Sequence, residues 1–435
     1  MNVGFISLGC SKNLVDSEHL LSLFRDGRFT IESDPAKCDV IFINTCGFIE
    51  AAKKEAIDTI LEMAEYKKDR LKKLIVSGCL VQRYAEDLKE ALPEVDAFIR
   101  IDDYPRIKEI LLDTLHLDFA AADLNARSRL TPSYFAYLKI AEGCNHRCAY
   151  CAIPLIRGRY QSRPIEELVE EAKGLAAEGV KELNLIAQDC AYYGRDLYGH
   201  FALGELLKQL DELPFTWIRI LYLYPDEMSE ELLRTVASCR RVLPYFDMPV
   251  QYGSDRILKA MRRPTSTAFL REKFALIHEI FGGKEVLRTT FMVGFPGEEE
   301  EDFRETLQFI REQRFDSLGA FTYSREEDTP SYDMPDQVEE EIKERRYREL
   351  METQKAICEE KNAARIGQKL PVLVEKNDPF RGISTGRAYF SAPEGVDPEV
   401  RIRDAGSLRV GEFVMCEITG YREYDLLAVI AEEEI

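Results

Sequence analysis

No stretch of eighteen or more apolar residues occurs in this 435-residue sequence, so no membrane-spanning helix is expected. The opening residues Met1-Asn2-Val3-Gly4-Phe5-Ile6 have no basic segment and no small-residue cleavage site. They read as a first strand and not as a signal peptide. Internal repeats and low-complexity segments are also absent. Basic residues are in deficit: 58 Lys and Arg against 78 Asp and Glu give a formal net charge of −20. Such a deficit argues against broad contact with phosphate backbones. It suits a positively charged partner, or it is simply the solubility charge of an acidic cytosolic protein, the commoner circumstance. The eleven cysteines are an odd number and lack the compact spacing of a disulfide framework. With no export signal a reducing, cytoplasmic location is expected, where clustered cysteines point to metal or catalysis.

The length suggests two to three domains. Strand and helix alternate over the first part: strands at Val3 to Leu8, Val40 to Asn44 and Leu74 to Ser77, helices at Asp16 to Phe24, about Phe48 to Tyr66, and Ala85 to Leu92. A polar stretch from Asp123 to Ser128 reads as a linker. The rhythm then resumes, with strands at Phe135 to Ala141, Glu182 to Ala187, Trp217 to Leu221, Tyr245 to Met248, Val286 to Met292 and Ser317 to Phe321. That count predicts a partial (βα) barrel with its chemistry at the carboxyl ends of the strands. A charged helix from about Val338 to Ala364 closes it. After Gly367 short β segments (Lys369 to Glu375, Gly386 to Phe390, Phe413 to Thr419, Asp425 to Ile430) predict a small β-barrel. The expected fold class is α/β in three parts: a parallel α/β domain at 1–122, the partial barrel at 130–364 and the β-barrel at 367–435.

Gly143-Cys144-Asn145-His146-Arg147-Cys148-Ala149-Tyr150-Cys151 places three thiols within eight residues on a loop after a strand. Iron–sulfur cubes usually take four thiolates. Three leave one iron open, as a substrate-binding cluster requires. The alternative, a structural zinc site, wants four N or S ligands, and no CxxC partner follows.

Cys10, Cys46 and Cys79 are far apart in sequence, yet each follows a strand of the first domain and leads into a helix. The carboxyl ends of parallel strands share one edge, where ligands bind, so these thiols can converge. Unrelated core cysteines would scatter within strands and helices; Cys38, Cys239, Cys358 and Cys416 do so and read as structural. Cys190, beside Gln188 and Asp189 at a strand end, is open to either reading, with an inert buried thiol the commoner outcome.

The triplet resembles the signature of the radical S-adenosylmethionine (SAM) superfamily, with Tyr150 in the place of the aromatic that precedes the last cysteine. The resemblance implies that the open iron binds and cleaves SAM to a 5′-deoxyadenosyl radical. Gly9-Cys10-Ser11-Lys12-Asn13-Leu14-Val15-Asp16-Ser17-Glu18, Asn44-Thr45-Cys46-Gly47-Phe48-Ile49 and Ser77-Gly78-Cys79 narrow it to the methylthiotransferase family. That family has an N-terminal cluster domain, a radical SAM barrel and a C-terminal TRAM β-barrel, and the likeness spans the chain. It implies two 4Fe–4S clusters, an auxiliary one on Cys10, Cys46 and Cys79 and a SAM-cleaving one on Cys144, Cys148 and Cys151, with no other catalytic residue. Two SAM molecules are consumed, one methylating a sulfur on the auxiliary cluster and one generating the radical.

Arg157-Gly158-Arg159-Tyr160-Gln161-Ser162-Arg163-Pro164, Pro249-Val250-Gln251-Tyr252-Gly253-Ser254 and Val293-Gly294-Phe295-Pro296-Gly297-Glu298 agree with it. Tyr150, Gln188, Gln251 and Gly294 are candidates for SAM contact, although glycine turns at strand ends also occur for packing alone.

Ser-Lys-Asn after Cys10 and Gly-Phe-Ile after Cys46 resemble the branch acting on an aspartate β-carbon of small-subunit ribosomal protein number twelve. The alternative branch modifies isopentenyladenosine in tRNA. From Gly367 onward there are 13 acidic and 8 basic residues, a net of −5. This favours a basic ribosomal protein, free or in the small subunit, and makes tRNA an unexpected partner. An electron donor such as flavodoxin or ferredoxin is also implied; the sulfur donor is not legible. A hypothesis from another class, an iron–sulfur storage or binding module without turnover, predicts no SAM cleavage on reduction.

Overall fold

The computed structural model describes residues 1–25, 28–117, 119, 126–393, 395, 397–404 and 406–431. They form two compact units, one of 1–132, 142–161 and 324–332, the other of 133–141, 162–323 and 333–435. No helix among the described residues is long and apolar enough to cross a membrane.

The first unit is built on a parallel sheet of β1 (Asn2–Ser7), β2 (Thr30–Ile31), β3 (Val40–Thr45), β4 (Lys73–Gly78) and β5 (Ala97–Ile99), in the order β2-β1-β3-β4-β5. Strand β3, Val-Ile-Phe-Ile-Asn-Thr, is buried along its whole length, as a central parallel strand covered on both faces must be. The connecting helices are α1 (Ser11–Ser22), α2 (Glu50–Glu65), α3 (Cys79–Ala91) and α4 (Ile107–Leu115). Lys53, Ala56, Ile60 and Met63 recur at helical spacing on the buried face of α2. Helix α3 starts at Cys79 itself and not at Ala85, because Gly78 (φ 99°) turns the chain straight from β4 into the helix. Of the expected linker, 123–125 lie outside the described residues; Arg127 is held by the buried carboxylate of Glu18.

The second unit contains a six-stranded parallel sheet of β6 (Phe135–Lys139), β7 (Glu182–Ile186), β8 (Trp217–Ile220), β9 (Val242–Asp247), β10 (Val286–Val293) and β11 (Ser317–Thr322), ordered β11-β10-β9-β8-β7-β6. It is open, as a partial barrel should be. After the helix Glu340–Ala364, strands β12 (Lys369–Asp378), β13 (Ile383–Arg387), β14 (Val400–Arg403), β15 (Phe413–Arg422) and β16 (Asp425–Ile430) close into a barrel. The expected strand Gly386 to Phe390 is corrected to Ile383–Arg387. Phe390 leaves the ladder, is buried, and lies under the Arg365 guanidinium at 4.5 Å. Strand β14, Val-Arg-Ile-Arg, was not expected; its alternating burial puts valine and isoleucine inward and both arginines out.

This small barrel is fixed to the amino-terminal edge of the six-stranded sheet. Glu182 and Trp217 are the first residues of their strands. Trp217 meets Phe413 edge-on at 4.6 Å, and Glu182 accepts hydrogen bonds from Arg219 (3.0 Å) and Arg387 (2.6 Å).

Candidate functional site

In the first unit the polar side chains after each strand knit the carboxyl edge of the sheet. Asn13 donates to the Leu8 carbonyl at 2.6 Å. Asn44, at the end of β3, donates to the Asn13 carbonyl (2.9 Å) and the Ser17 hydroxyl (2.8 Å). Thr45 donates to the Ser77 carbonyl at 2.6 Å. These bonds fix where Cys10, Cys46 and Cys79 emerge. A glycine adjoins each: a Cβ at Gly9 would stand 2.8 Å from the Cys46 Cβ, and one at Gly47 would stand 2.7 Å from Leu80 backbone. At Gly78 it would strike the Asn44 side chain at 2.3 Å. The glycines thus permit the close approach that gathers the three cysteines.

Burial raises the proton affinity of the Cys79 thiol, pushing it up to about 12, against the opposing Arg157 charge; Cys10 and Cys46 add to the rise. The Cys46 thiol is raised too, first by burial and then, among other groups, by Cys10. Thiols with a buried cation beside them suit an anionic cluster that takes thiolates. Among the described residues no three His, Cys, Asp or Glu side chains gather tightly enough to chelate a single ion. A cubane sets a milder requirement, because each thiolate binds a different iron.

Cys144, Cys148 and Cys151 lie on a loop in the same unit. Gly143 (φ 72°) starts it, and a side chain there would strike the Arg159 carbonyl at 2.2 Å. The Cys144 amide donates to the Gly158 carbonyl at 3.2 Å, and the Cys151 amide to the Cys148 carbonyl at 3.1 Å. Cys148 is buried, while Cys144 and Cys151 are half-buried. Ala149, beside the half-buried Tyr150, accepts from the Ser331 amide at 2.9 Å. The segment 324–332 is anchored in turn by Glu326, whose buried carboxylate meets Lys53 at 3.1 Å and accepts from the Glu50 amide at 2.8 Å.

Beyond the triplet, Ile153–Ile156 forms a short helix, and Ala152 and Ile156 pack with Cys79 in one apolar cluster. Arg157 follows, almost fully buried. Its Nη1 donates to Asp16 (2.6 Å) and Glu142 (3.1 Å), its Nη2 to Asn13 (3.1 Å) and to the Cys79 sulfur (3.4 Å). Burial works against this charge, yet Asp16, Glu142 and Cys79 hold it firmly protonated. Arg157, Asn13 and Asp16 all stand in the motifs quoted from the sequence. Only the tertiary fold shows that they meet.

The remaining SAM-contact candidates lie in the second unit, after strands of the six-stranded sheet. Gln188 follows β7 and is half-buried. Gln251 follows β9, is buried, holds a left-handed backbone (φ 76°), and its side-chain oxygen has no hydrogen-bond partner among the described residues. Gly294 follows β10 with φ 77°, but its amide already donates to the Glu298 carboxylate. A side chain at Gly294 would strike Lys343 at 2.2 Å, so packing accounts for this glycine. Cys190 is fully buried with its sulfur 3.8 Å from the Leu185 carbonyl. Cys38, Cys358 and Cys416 are buried as well, and Cys239 is half-buried.

Family comparisons match three successive segments. Uncharacterized protein family UPF0004 covers residues 2–100, the radical SAM superfamily 138–310 and the TRAM domain 366–431. The chain is 44% identical to the ribosomal protein uS12 methylthiotransferase RimO of Thermoanaerobacter sp. (strain X514), over 98% of this chain and 99% of the relative. It is 46% identical to the protein of the same name from Aquifex aeolicus (strain VF5), over 98% and 96%. The chain belongs to the RimO family of methylthiotransferases. Among solved structures it is similar to the radical SAM methyltransferase TsrM from Kitasatospora setae, with TM-score 0.57, 13% identity, and 76% of each chain covered. At that identity the likeness concerns the fold alone. As a RimO-family protein the chain is a radical SAM enzyme whose cofactors are SAM and 4Fe–4S clusters.

Proposed function

We propose that this protein adds a methylthio group to the β-carbon of an aspartate in ribosomal protein uS12, free or within the small ribosomal subunit. The observation that carries this reading is the near-complete alignment with RimO proteins, which are named for uS12. Those relatives do not favour the tRNA alternative. A ribosomal substrate supports a cytoplasmic location for the reaction, and flavodoxin or ferredoxin is the class of electron donor that suits it.

Cys144, Cys148 and Cys151 are the proposed ligands of the SAM-cleaving cluster, and Cys10, Cys46 and Cys79 those of the auxiliary cluster. When bound, these groups and SAM supply the carbon-centred radical and the transferable methylthio group. The protein's own residues position and insulate them. Gly143 and the Gly158 carbonyl fix the triplet loop, the Asn13–Asn44–Ser17 network fixes the edge from which the other thiols project, and Arg157 provides positive charge. Of the four SAM-contact candidates, Gln251 is the best supported, since its buried carbonyl oxygen awaits a donor.

The test is incubation of the reconstituted chain with SAM, a reductant and either uS12 or tRNA. Mass spectrometry should find the methylthio increment on one aspartate of uS12 and none on tRNA. Modified adenosine with unmodified uS12 would overturn the assignment. Binding of the full chain to uS12 should weaken with salt, because charges across the rim are screened over roughly 8 Å at physiological ionic strength.

A further inference from the structure

Arg157 is six residues beyond the last cysteine of the triplet, yet its head group is spent on the other cysteine set. We infer that Arg157 is a positioning residue of the auxiliary cluster: it sets that cluster's reduction potential by donating to the Cys79 sulfur and placing a fixed positive charge beside it. This rests on the reading of Cys10, Cys46 and Cys79 as cluster ligands.

The geometry argues for the role. The guanidinium is a planar fork with five donors, and here the fork is aimed. Asp16 and Glu142 take one arm, the Asn13 side-chain oxygen Oδ1 steadies the other, and that second arm reaches Cys79 at 3.4 Å. Asn13 is itself fixed by its bond to the Leu8 carbonyl. From the other side, the Arg157 amide donates to the Ile153 carbonyl at 2.7 Å, within the short helix that packs on Cys79. A buried ion pair stabilises a fold no better than well-packed apolar side chains do, so stability alone gives no reason for this arrangement. Cluster potentials, in contrast, respond to net charge, to hydrogen bonds on the sulfurs and to solvent exposure, and Arg157 supplies the first two. Its place on the segment that leaves the triplet loop also links the two cysteine sets. A shift of that loop would move the cation on Cys79.

The experiment uses the full chain with Cys144, Cys148 and Cys151 replaced by alanine, so that only the auxiliary cluster forms on anaerobic reconstitution. Iron content and the midpoint potential, from an EPR-monitored redox titration, are read for this parent and with Arg157→Lys or Arg157→Gln added. Arg157→Gln should keep about four irons and show a lower midpoint potential than the parent, with Arg157→Lys in between. An Arg157→Gln potential equal to the parent's would overturn the inference. Should Arg157→Gln take up less iron, the pair Arg157→Gln with Asp16→Asn leaves no buried carboxylate without its cation, and is titrated instead. A lowered potential in that pair supports the inference, and the parent's potential overturns it. A parent that binds no iron refutes the ligand assignment beneath, an outcome distinct from an unshifted potential.

Discussion

Arg157 in the cysteine-bearing unit and Arg387 in the small barrel are both nearly fully buried guanidiniums that each engage two carboxylates. For Arg157 these are Asp16 and Glu142; for Arg387 they are Glu182 (2.6 Å) and Glu375 (2.9 Å). Their remaining donors differ. Arg387 gives its spare Nη1 to the Ser391 backbone carbonyl at 3.0 Å, and Arg219 completes Glu182 from the other side. That seam is closed upon the protein itself and ties the barrel to the sheet. Arg157 ends on the Cys79 thiol, which the proposed function makes a cluster ligand. The same side chain thus closes on backbone in one place and on a thiol in the other, and the inference drawn for Arg157 rests on that last contact.

The largest effects should come from the cysteines. Two cubanes predict about eight irons per reconstituted chain. Alanine at Cys144, Cys148 and Cys151 should leave about four irons and abolish SAM cleavage. Alanine at Cys10, Cys46 and Cys79 should also leave about four, with SAM cleavage kept and methylthio transfer lost. Product from the second variant would mean that the edge of the N-terminal sheet holds no essential cluster. Circular dichroism should show both variants folded, since neither change touches a closed seam.

Breaking the barrel seam should do the reverse. Arg387→Met leaves Glu182 paired with Arg219 alone and should cost about 3 kcal/mol, the low end for breaking a buried pair. The unfolding midpoint would fall, while iron content and SAM cleavage per folded molecule stay near the parent's. Replacing Glu182, Arg219 and Arg387 together by apolar residues of similar volume should recover most of that loss. An activity loss larger than the folded fraction explains would show that the seam reaches the chemistry after all.

This contrast also explains what the sequence could disclose. The strands of the first unit were legible because buried parallel strands are apolar runs, and β3 is one from Val40 to Ile43. The triplet was legible because its spacing is local. That Cys10, Cys46 and Cys79 each follow a strand of one parallel sheet was legible from topology. The contacts of Arg157 are not legible in the sequence, because its partners Cys79 and Asp16 lie 78 and 141 residues away. The start of helix α3 is hidden in the sequence, because the apolar Leu80-Val81 after β4 gives no sign of the turn at Gly78. Two phenylalanines of the small barrel part company: Phe380 is fully exposed, whereas Phe390 fills the core. Composition does not distinguish them. What does is that Phe380 follows a proline at a hairpin tip, while Phe390 follows a strand whose ladder it leaves.

The smallest effect tests an ion cluster that involves neither Arg157 nor Arg387. Asp39, just before β3, accepts from the Asn2 amide at 2.8 Å and meets the largely exposed Arg70 and Lys72. The Asn2 amide is the main reason its carboxyl is held at about 2, with the two cations assisting against a burial penalty. A carboxyl whose proton affinity is depressed in the folded state stabilises that state above its unfolded pKa, and the benefit fades as pH falls toward the folded value. Asp39→Asn should therefore lower stability at pH 7 by about 1–2 kcal/mol, the full shift being discounted because the cations are solvated. The gap between variant and parent should shrink between about pH 4 and pH 2, where the parent's own carboxylate takes up its proton. Thermal melts of both proteins across that window measure it, and a gap that stayed constant or widened toward low pH would show that Asp39 acts through packing and not through its charge. Iron content at pH 7 should be the same in both, because Asp39 sits at the amino end of its strand while the cysteines gather at the carboxyl ends.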